Sequence, residues 1–71
     1  MLVTVEVVRK NGAFTTKDEY PFCGKNLEEI RSKLDTRIKN EGGLIDRLPF
    51  NSINLVLDGV VMDSRYESQT W

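Results

Sequence analysis

Two dipeptides that favour tight hairpin turns, Asn11-Gly12 and Asp58-Gly59, each lie between runs of strand-forming residues. Asn-Gly and Asp-Gly readily adopt the two positive-φ positions that a two-residue type I′ turn requires. Between the two dipeptides lies a segment with helical periodicity that follows a good helix-capping residue. The sequence therefore predicts the element order strand, strand, helix, strand, strand, which constrains the fold more than any other feature of the chain.

The first hairpin has a register that follows from its turn. A two-residue loop at Asn11-Gly12 pairs Val5 with Asp18 and places Glu6 beside Lys17 as a favourable cross-strand pair. Because Asp18 would then face the core, we expect a bulge near residues 17–19 or an early end to strand pairing. Alternation along the two strands predicts one set of core-facing side chains: Val3, Val5, Val7, Phe14, Tyr20 and Phe22.

The central segment predicts one amphipathic helix. Asn26 and Glu29 have capping-box spacing, so the helix should begin near Leu27. Gly42-Gly43 should end it with a left-handed cap. Two i,i+4 ion pairs are expected, Glu29 with Lys33 and Asp35 with Lys39. The stripe that should face the core consists of Leu27, Ile30, Leu34 and Ile38.

The second hairpin follows an apolar connection, residues 44–50, that contains Pro49 and should cross one end of the core. A type I′ turn at Asp58-Gly59 pairs Leu57 with Val60. This register leaves Val56 opposite Val61 on the outer face of the sheet. The predicted core-facing residues of this hairpin are Ile53, Leu55, Leu57, Val60 and Met62.

Composition limits the class of protein. A chain of 71 residues with a net charge of −1 is the size of a single domain, 1–71, and has no overall charge that attracts nucleic acid or membrane. The single Cys23 cannot form an internal disulfide, and the N-terminal run lacks a basic leader, so we expect a cytoplasmic location. Residues 65–71 follow the last predicted strand as a polar tail that would ordinarily fray.

One helix can cover both hairpins if they join into one sheet, so we expect an α+β fold with order ββαββ. The economical version is a four-stranded mixed sheet with both termini central and the helix across one face, the β-grasp arrangement. The segment Asn-Leu-Val-Leu-Asp-Gly-Val-Val-Met-Asp at 54–63, together with the strand and hairpin that begin at Met1, resembles ubiquitin-like domains over residues 1–64. This resemblance implies that Val56 occupies the position of an exposed aliphatic recognition residue.

The chain departs from that family after residue 64. It lacks the further long strand of ubiquitin-like domains, which favours a minimal four-stranded version similar in layout to small bacterial immunoglobulin-binding domains. The sequence ends in Gln69-Thr70-Trp71, without the terminal Gly-Gly that conjugated modifiers and sulfur carriers use. A modifier role is therefore not expected.

Residues that could carry chemistry are few. Cys23 could be a reactive thiol near the start of the helix, but with no histidine in the chain we interpret it as a small residue capping the core. Asp46, Asp58 and Asp63 lack the spacing of a calcium loop. We therefore expect no enzymatic activity, no metal and no cofactor.

Basic helix residues support an alternative function. Lys25, Arg31, Lys33, Arg37 and Lys39 could contact phosphates in a small nucleic-acid-binding protein. Acidic residues alternate with them, which is typical of a solvated helix face, so nucleic acid is the less favoured partner.

The outer face of the sheet supports the leading hypothesis. Leu2, Val8, Val56 and Val61 should point away from the helix, and Trp71 could anchor onto the sheet or onto a partner. Clustered exposed apolar residues favour a contact site. We therefore expect a non-enzymatic module that binds a protein partner or a second copy of itself. Its size is typical of host-protein inhibitors encoded by phages and mobile elements. The competing interpretation is that residues 44–50 or the tail cover this face.

Overall fold

The structure, a computed structural model, describes the backbone of residues 1–41 and 50–71. It confirms the predicted element order ββαββ. The expected helix cap at Gly42-Gly43 and nearly all of the expected apolar connection lie outside the described residues, although Phe50 is described and is buried. The five elements are β1 (Leu2–Asn11), β2 (Phe14–Cys23), α1 (Leu27–Glu41), β3 (Ser52–Leu57) and β4 (Val60–Tyr66).

The four strands form one antiparallel sheet in the order β2-β1-β3-β4, with α1 packed on one face. The α+β fold is therefore confirmed. The expectation of a mixed sheet with both termini central is wrong, because β3 and not β4 lies beside β1. The physical reason is burial: Ile53 and Leu55 in β3 are fully buried, whereas β4 changes to polar residues halfway along. The more apolar strand takes the central place, and β4 becomes an edge.

The first hairpin turns one residue later than predicted. Asn11 pairs with Phe14 inside the sheet, so the loop is Gly12-Ala13, and Gly12 has φ 63°. A glycine with positive φ at the first loop position fits a type II′ turn. The register moves by two residues, which preserves the alternation of faces. Val3, Val5 and Val7 are buried as predicted.

Two details of this hairpin differ from the prediction. Phe14 is 76% exposed at the tip, beyond the reach of the core. Pairing is continuous through residues 17–19 without a bulge, because the shifted register places Asp18 opposite Val7, where its carboxylate lies 2.5 Å from Arg9 Nη1. The expected Glu6 and Lys17 pair survives as a diagonal contact, with 3.9 Å between the carboxylate oxygen and Nζ.

The second hairpin has the predicted turn and an unpredicted bulge. Asp58 and Gly59 have φ values of 51° and 78°, as a type I′ turn requires. Val56 pairs with Val61, but Leu55 pairs with Asp63, so Met62 is an extra residue in β4. The expected core positions Val60 and Met62 are wrong: these side chains are 60% and 46% exposed.

Helix α1 packs as its periodicity predicts. Asn26 Oδ1 accepts a 2.9 Å hydrogen bond from the Glu29 amide, while Glu29 Oε2 accepts from the Lys25 amide at 3.0 Å instead of reaching back to Asn26. The predicted Glu29 and Lys33 pair is present at 3.0 Å. The core combines helix and sheet residues: Val3, Val5, Val7, Ile30, Leu34, Phe50, Ile53 and Leu55, with Leu27 and Ile38 partly buried against them.

Candidate protein-binding surface

Three of the predicted contact residues share one end of the outer sheet face. Thr4 pairs with Val56, which pairs with Val61, and Leu2 lies two residues before Thr4 on the same face. Leu2 and Val61 are 63% and 54% exposed, and Val56 is half-buried. The structure therefore brings Leu2, Val56 and Val61 together where β1 begins and β3 turns into β4.

Further apolar side chains extend this end of the sheet. Of the seven exposed large hydrophobic residues in the described part of the chain, five lie here, and we call them the terminal patch: Met1, Leu2, Val60, Val61 and Met62. Met62 was expected in the core because one register was extended along all of β4. Val60 pairs with Leu57 as predicted, but it is 60% exposed at the end of an edge strand. The only signal in the sequence is the change from apolar to polar residues after Met62.

Val8 is not part of this surface, contrary to expectation. It is only 7% exposed, and it pairs with Lys17 on one side and with Ser52 on the other. A polar row separates it from Val56: Asn54 Nδ2 donates to Glu6 Oε1 at 2.8 Å, and Ser64 Oγ donates to Asn54 Oδ1 at 2.6 Å. The outer face is therefore divided by polar side chains and is not one continuous apolar surface.

Trp71 lies on the other side of the sheet, where it contacts the helix side of the molecule. Its backbone amide donates to Asp35 Oδ2 at 2.7 Å, and its side chain is partly buried against the core. Trp71 thus shares no surface with Leu2 and Val61, and the polar tail returns to α1.

A buried arginine holds this tail. The bulge at Met62 turns Arg65 toward the helix, where it is 4% exposed and its Nε lies 3.1 Å from Asp35 Oδ1. The Arg65 guanidinium carbon lies 5.7 and 5.8 Å from the ring centroids of Phe50 and Trp71. Its Nη1 donates to the carbonyls of Tyr66, Glu67 and Gln69. Nothing in the sequence pattern marked Arg65, and Asp35 was assigned to Lys39 because α1 was considered alone.

A second ion pair connects α1 to β4. Arg31 Nη1 lies 2.7 Å from Asp63 Oδ2, with both side chains partly exposed. Partial burial acts to raise the pKa of the Asp63 carboxyl, but hydrogen bonds from Arg31 and from the Ser64 amide outweigh it and hold that pKa below its usual value. The hydrogen bond from Lys33, aided by the Lys25 amide, likewise lowers the pKa of Glu29. Both carboxylates therefore remain charged and act as structural partners.

The other candidate chemical groups that the structure describes are not brought together. Cys23 is exposed at the end of β2 and does not cap the core. Asp58 occupies the turn and Asp63 faces Arg31, while Asp46 lies outside the described residues. Among residues 1–41 and 50–71, no group of three His, Cys, Asp or Glu side chains could hold a metal ion. Arg31 and Lys33, two of the basic helix residues, are engaged in ion pairs.

The free edge of β4 is partly closed by its own side chains. The Ser64 amide donates to Asp63 Oδ1 at 2.8 Å, and the Tyr66 amide donates to Gln69 Oε1 at 3.0 Å. The Gln69 amide in turn donates to the Tyr66 carbonyl at 3.1 Å. The polar half of β4 is therefore blocked against the addition of another strand, whereas its apolar half belongs to the terminal patch.

No protein-family model matches the chain, and no match was found among curated proteins or solved structures. In the part of the chain that the structure describes, no helix has the length and apolar character to cross a membrane.

Proposed function

We propose that this chain is a small non-enzymatic interaction module that binds a partner protein through the terminal patch. The observation that carries the proposal is the concentration of exposed apolar side chains at one end of the sheet. Single exposed hydrophobic residues are normal on a soluble protein, but five of them around one end of the sheet favour a contact site. Val56 borders the patch at the position that the ubiquitin-like resemblance assigns to an aliphatic contact residue.

The character of the patch favours contact through side chains. Val60, Val61 and Met62 project from the turn end of β4, where the bulge interrupts regular strand pairing. A partner with an apolar pocket could bury these side chains without disturbing the core residues Ile53 and Leu55. With its short chain of 71 residues, the protein fits the class of cytoplasmic modulators or inhibitors of host proteins, which we include in the proposal.

The test compares two matched substitutions of exposed apolar residues. Val61→Asp places a charge in the terminal patch, and Tyr66→Asp places one at the other end of β4, outside both the patch and the β2 edge. Tagged wild-type and variant proteins are used to capture partners from the native host, and the binding of the identified partner is then measured with purified components. We expect Val61→Asp to weaken that binding at least about tenfold, because a buried interface must desolvate the new carboxylate. Tyr66→Asp should bind like the wild type.

Circular dichroism of each variant provides the control for folding. Equal loss of binding with Tyr66→Asp, or full binding by a folded Val61→Asp protein, would show that the terminal patch is not the contact site.

A further inference from the structure

Strand β2 forms the other edge of the sheet, and its backbone pattern is regular. Met1 and Gly24 exchange two hydrogen bonds, of 2.7 and 3.0 Å, at the open end of the first hairpin. Antiparallel pairs alternate between bonded and non-bonded, so the even-numbered residues of β2 bond to β1. The amides and carbonyls of Thr15, Lys17 and Glu19 therefore point away from β1, to an edge beside which the described residues place no further strand.

Pro21 agrees with this alternation. It occupies an odd-numbered position, where its missing N–H would have pointed to the edge and not to β1. From residue 14 to residue 20 the edge is extended, free of bulges and exposed except at Tyr20. It has the geometry that strand addition needs, in contrast to the β4 edge, where a bulge and Gln69 interfere.

The charges on this edge are self-complementary. Lys17 and Glu19 lie two residues apart on the outer face, on either side of Asp18. When two copies of β2 pair antiparallel about a two-fold axis at Asp18, Lys17 of each copy lies opposite Glu19 of the other. Opposite charges directly across an antiparallel pair are favourable. In this register Lys17 and Glu19 also exchange backbone hydrogen bonds, because both point their amides and carbonyls to the edge.

The same register gives a role to Phe14, whose side chain is 76% exposed. It places Phe14 of one copy opposite Phe22 of the other, on the helix side of the sheet. Phe22 lines a groove of about 750 Å³ between β2 and α1, together with Ser32 and Thr36. Phe14 of the second copy can therefore cover Phe22 at the mouth of this groove, and cross-strand aromatic pairs stabilise a sheet.

Asp18 is the unfavourable position, because the two Asp18 carboxylates face each other across the axis. Each of them already lies 2.5 Å from Arg9 Nη1 of its own chain, so the axis carries two cations as well as two anions. The local charges are balanced, and the pairing of Lys17 with Glu19 decides the register.

We propose that the protein forms a two-fold homodimer in which β2 of one copy pairs antiparallel with β2 of the other, giving a continuous eight-stranded sheet with both helices on one face. This interface is separate from the terminal patch, which lies at the end and opposite edge of the sheet. The dimer would present two copies of the patch to partners.

Charge reversal tests the register. Molecular mass is measured by sedimentation equilibrium over a range of concentrations for the wild type, Lys17→Glu, Glu19→Lys and the control Lys10→Glu. The wild type and the control should dimerise alike. Each single variant opposes like charges twice across the axis, so its dimer dissociation constant should rise about tenfold or more.

Two rescues distinguish this pairing from a general charge effect. The double variant, Lys17→Glu with Glu19→Lys, should regain the homodimer, and an equimolar mixture of the two single variants should form a heterodimer. A wild type that remains monomeric at all concentrations, or single variants that dimerise as tightly as the wild type, would overturn the proposal. Val61→Asp should leave dimerisation unchanged, so failure of the dimer and failure of the partner-binding proposal can be told apart.

Discussion

At the scale of single residues, Arg65 has the most demanding environment in the described chain. A cation that is 4% exposed requires compensating partners, and here Asp35, two aromatic rings and several carbonyls supply them. These contacts join β4, the tail and the helix through one side chain. Removal of the cation would leave Asp35 partly buried without its ion-pair partner. Removing one member of a buried ion pair destabilises a protein more than replacing both members with apolar residues.

We predict that Arg65→Met lowers the free energy of unfolding by about 2–4 kcal/mol. Urea unfolding measures the loss, with Lys10→Met as the control for removing an exposed cation. Trp71 is the single tryptophan of the chain, so its fluorescence should also shift to longer wavelength as the tail is released. Combining Arg65→Met with Asp35→Leu should restore part of the stability; if the double variant is weaker by the sum of both changes, the two residues do not interact.

The residues that sequence reasoning placed correctly are those governed by local alternation. Leu2, Val56 and Val61 face outward as strand alternation predicts: Val56 and Val61 pair as expected, and the two-residue shift in the first hairpin does not change faces. Val8 also faces outward, but alternation cannot reveal that its side chain is only 7% exposed. Arg65 depends on a bulge and on a helix residue thirty positions away, and neither can be derived from the strand pattern alone.

At the scale of elements, the two turn dipeptides behave differently. Asp58-Gly59 forms the predicted turn with both φ values positive, whereas Asn11 remains in the strand and Gly12 alone is positive. Glycine is favoured at the second loop position of a type I′ turn and at the first loop position of a type II′ turn. An Asn-Gly dipeptide therefore locates the turn only to within one residue. The helix was predictable in detail because its cap and its apolar stripe are both local signals.

We predict that threonine is tolerated at Asn11 but not at Asp58. Asn11→Thr should change the free energy of unfolding by less than about 0.5 kcal/mol, since the residue lies in an exposed strand position. Asp58→Thr should cost about 1–2 kcal/mol, because a β-branched residue is strained at φ 51°. Thermal or urea unfolding of the two variants in parallel gives the comparison. A larger loss of stability for Asn11→Thr than for Asp58→Thr would indicate that the first loop is Asn11-Gly12 and not Gly12-Ala13.

At the scale of the whole molecule, the strand order could not be read from the sequence. The order of strands and helix was predicted correctly, but two hairpins can join through either strand of the second one. The decision depends on how much of each strand can be buried, and β4 loses that capacity at Asp63 and Ser64. The resulting fold relies on Arg31 and Asp63 to connect the helix to the edge strand.

This connection predicts how stability depends on pH. The pKa of Asp63 lies below its usual value of about 3.9 in the folded protein, so its contribution is fully present above about pH 4. It is lost as the pH falls through the lower folded value, and the Glu29 carboxyl acts in the same direction. The free energy of unfolding should therefore decrease on acidification below about pH 4.

NMR titration of the carboxyl groups in the folded protein measures the pKa of Asp63 directly. Arg31→Met should raise the pKa of Asp63, because the hydrogen bond from Arg31 no longer offsets the effect of partial burial, which raises this pKa. Lys39→Met, which removes a cation elsewhere on α1, should leave that pKa unchanged. An Asp63 that titrates at its usual pH in the wild type would contradict the ion pair.

The extra residue Met62 resets the phase of its strand. Before it, alternation directs Val61 to the outer face, and after it, the same alternation directs Arg65 to the helix. The two halves of β4 thus alternate in opposite phase, so residues on either side of Met62 reach different faces of the sheet. Deleting Met62 would remove the bulge and restore one continuous alternation along β4. Val61 and Arg65 would then no longer both reach the faces that they now occupy. A single residue of chain length, and not its chemistry, thus lets one strand present Val61 to the outer face and Arg65 to the helix.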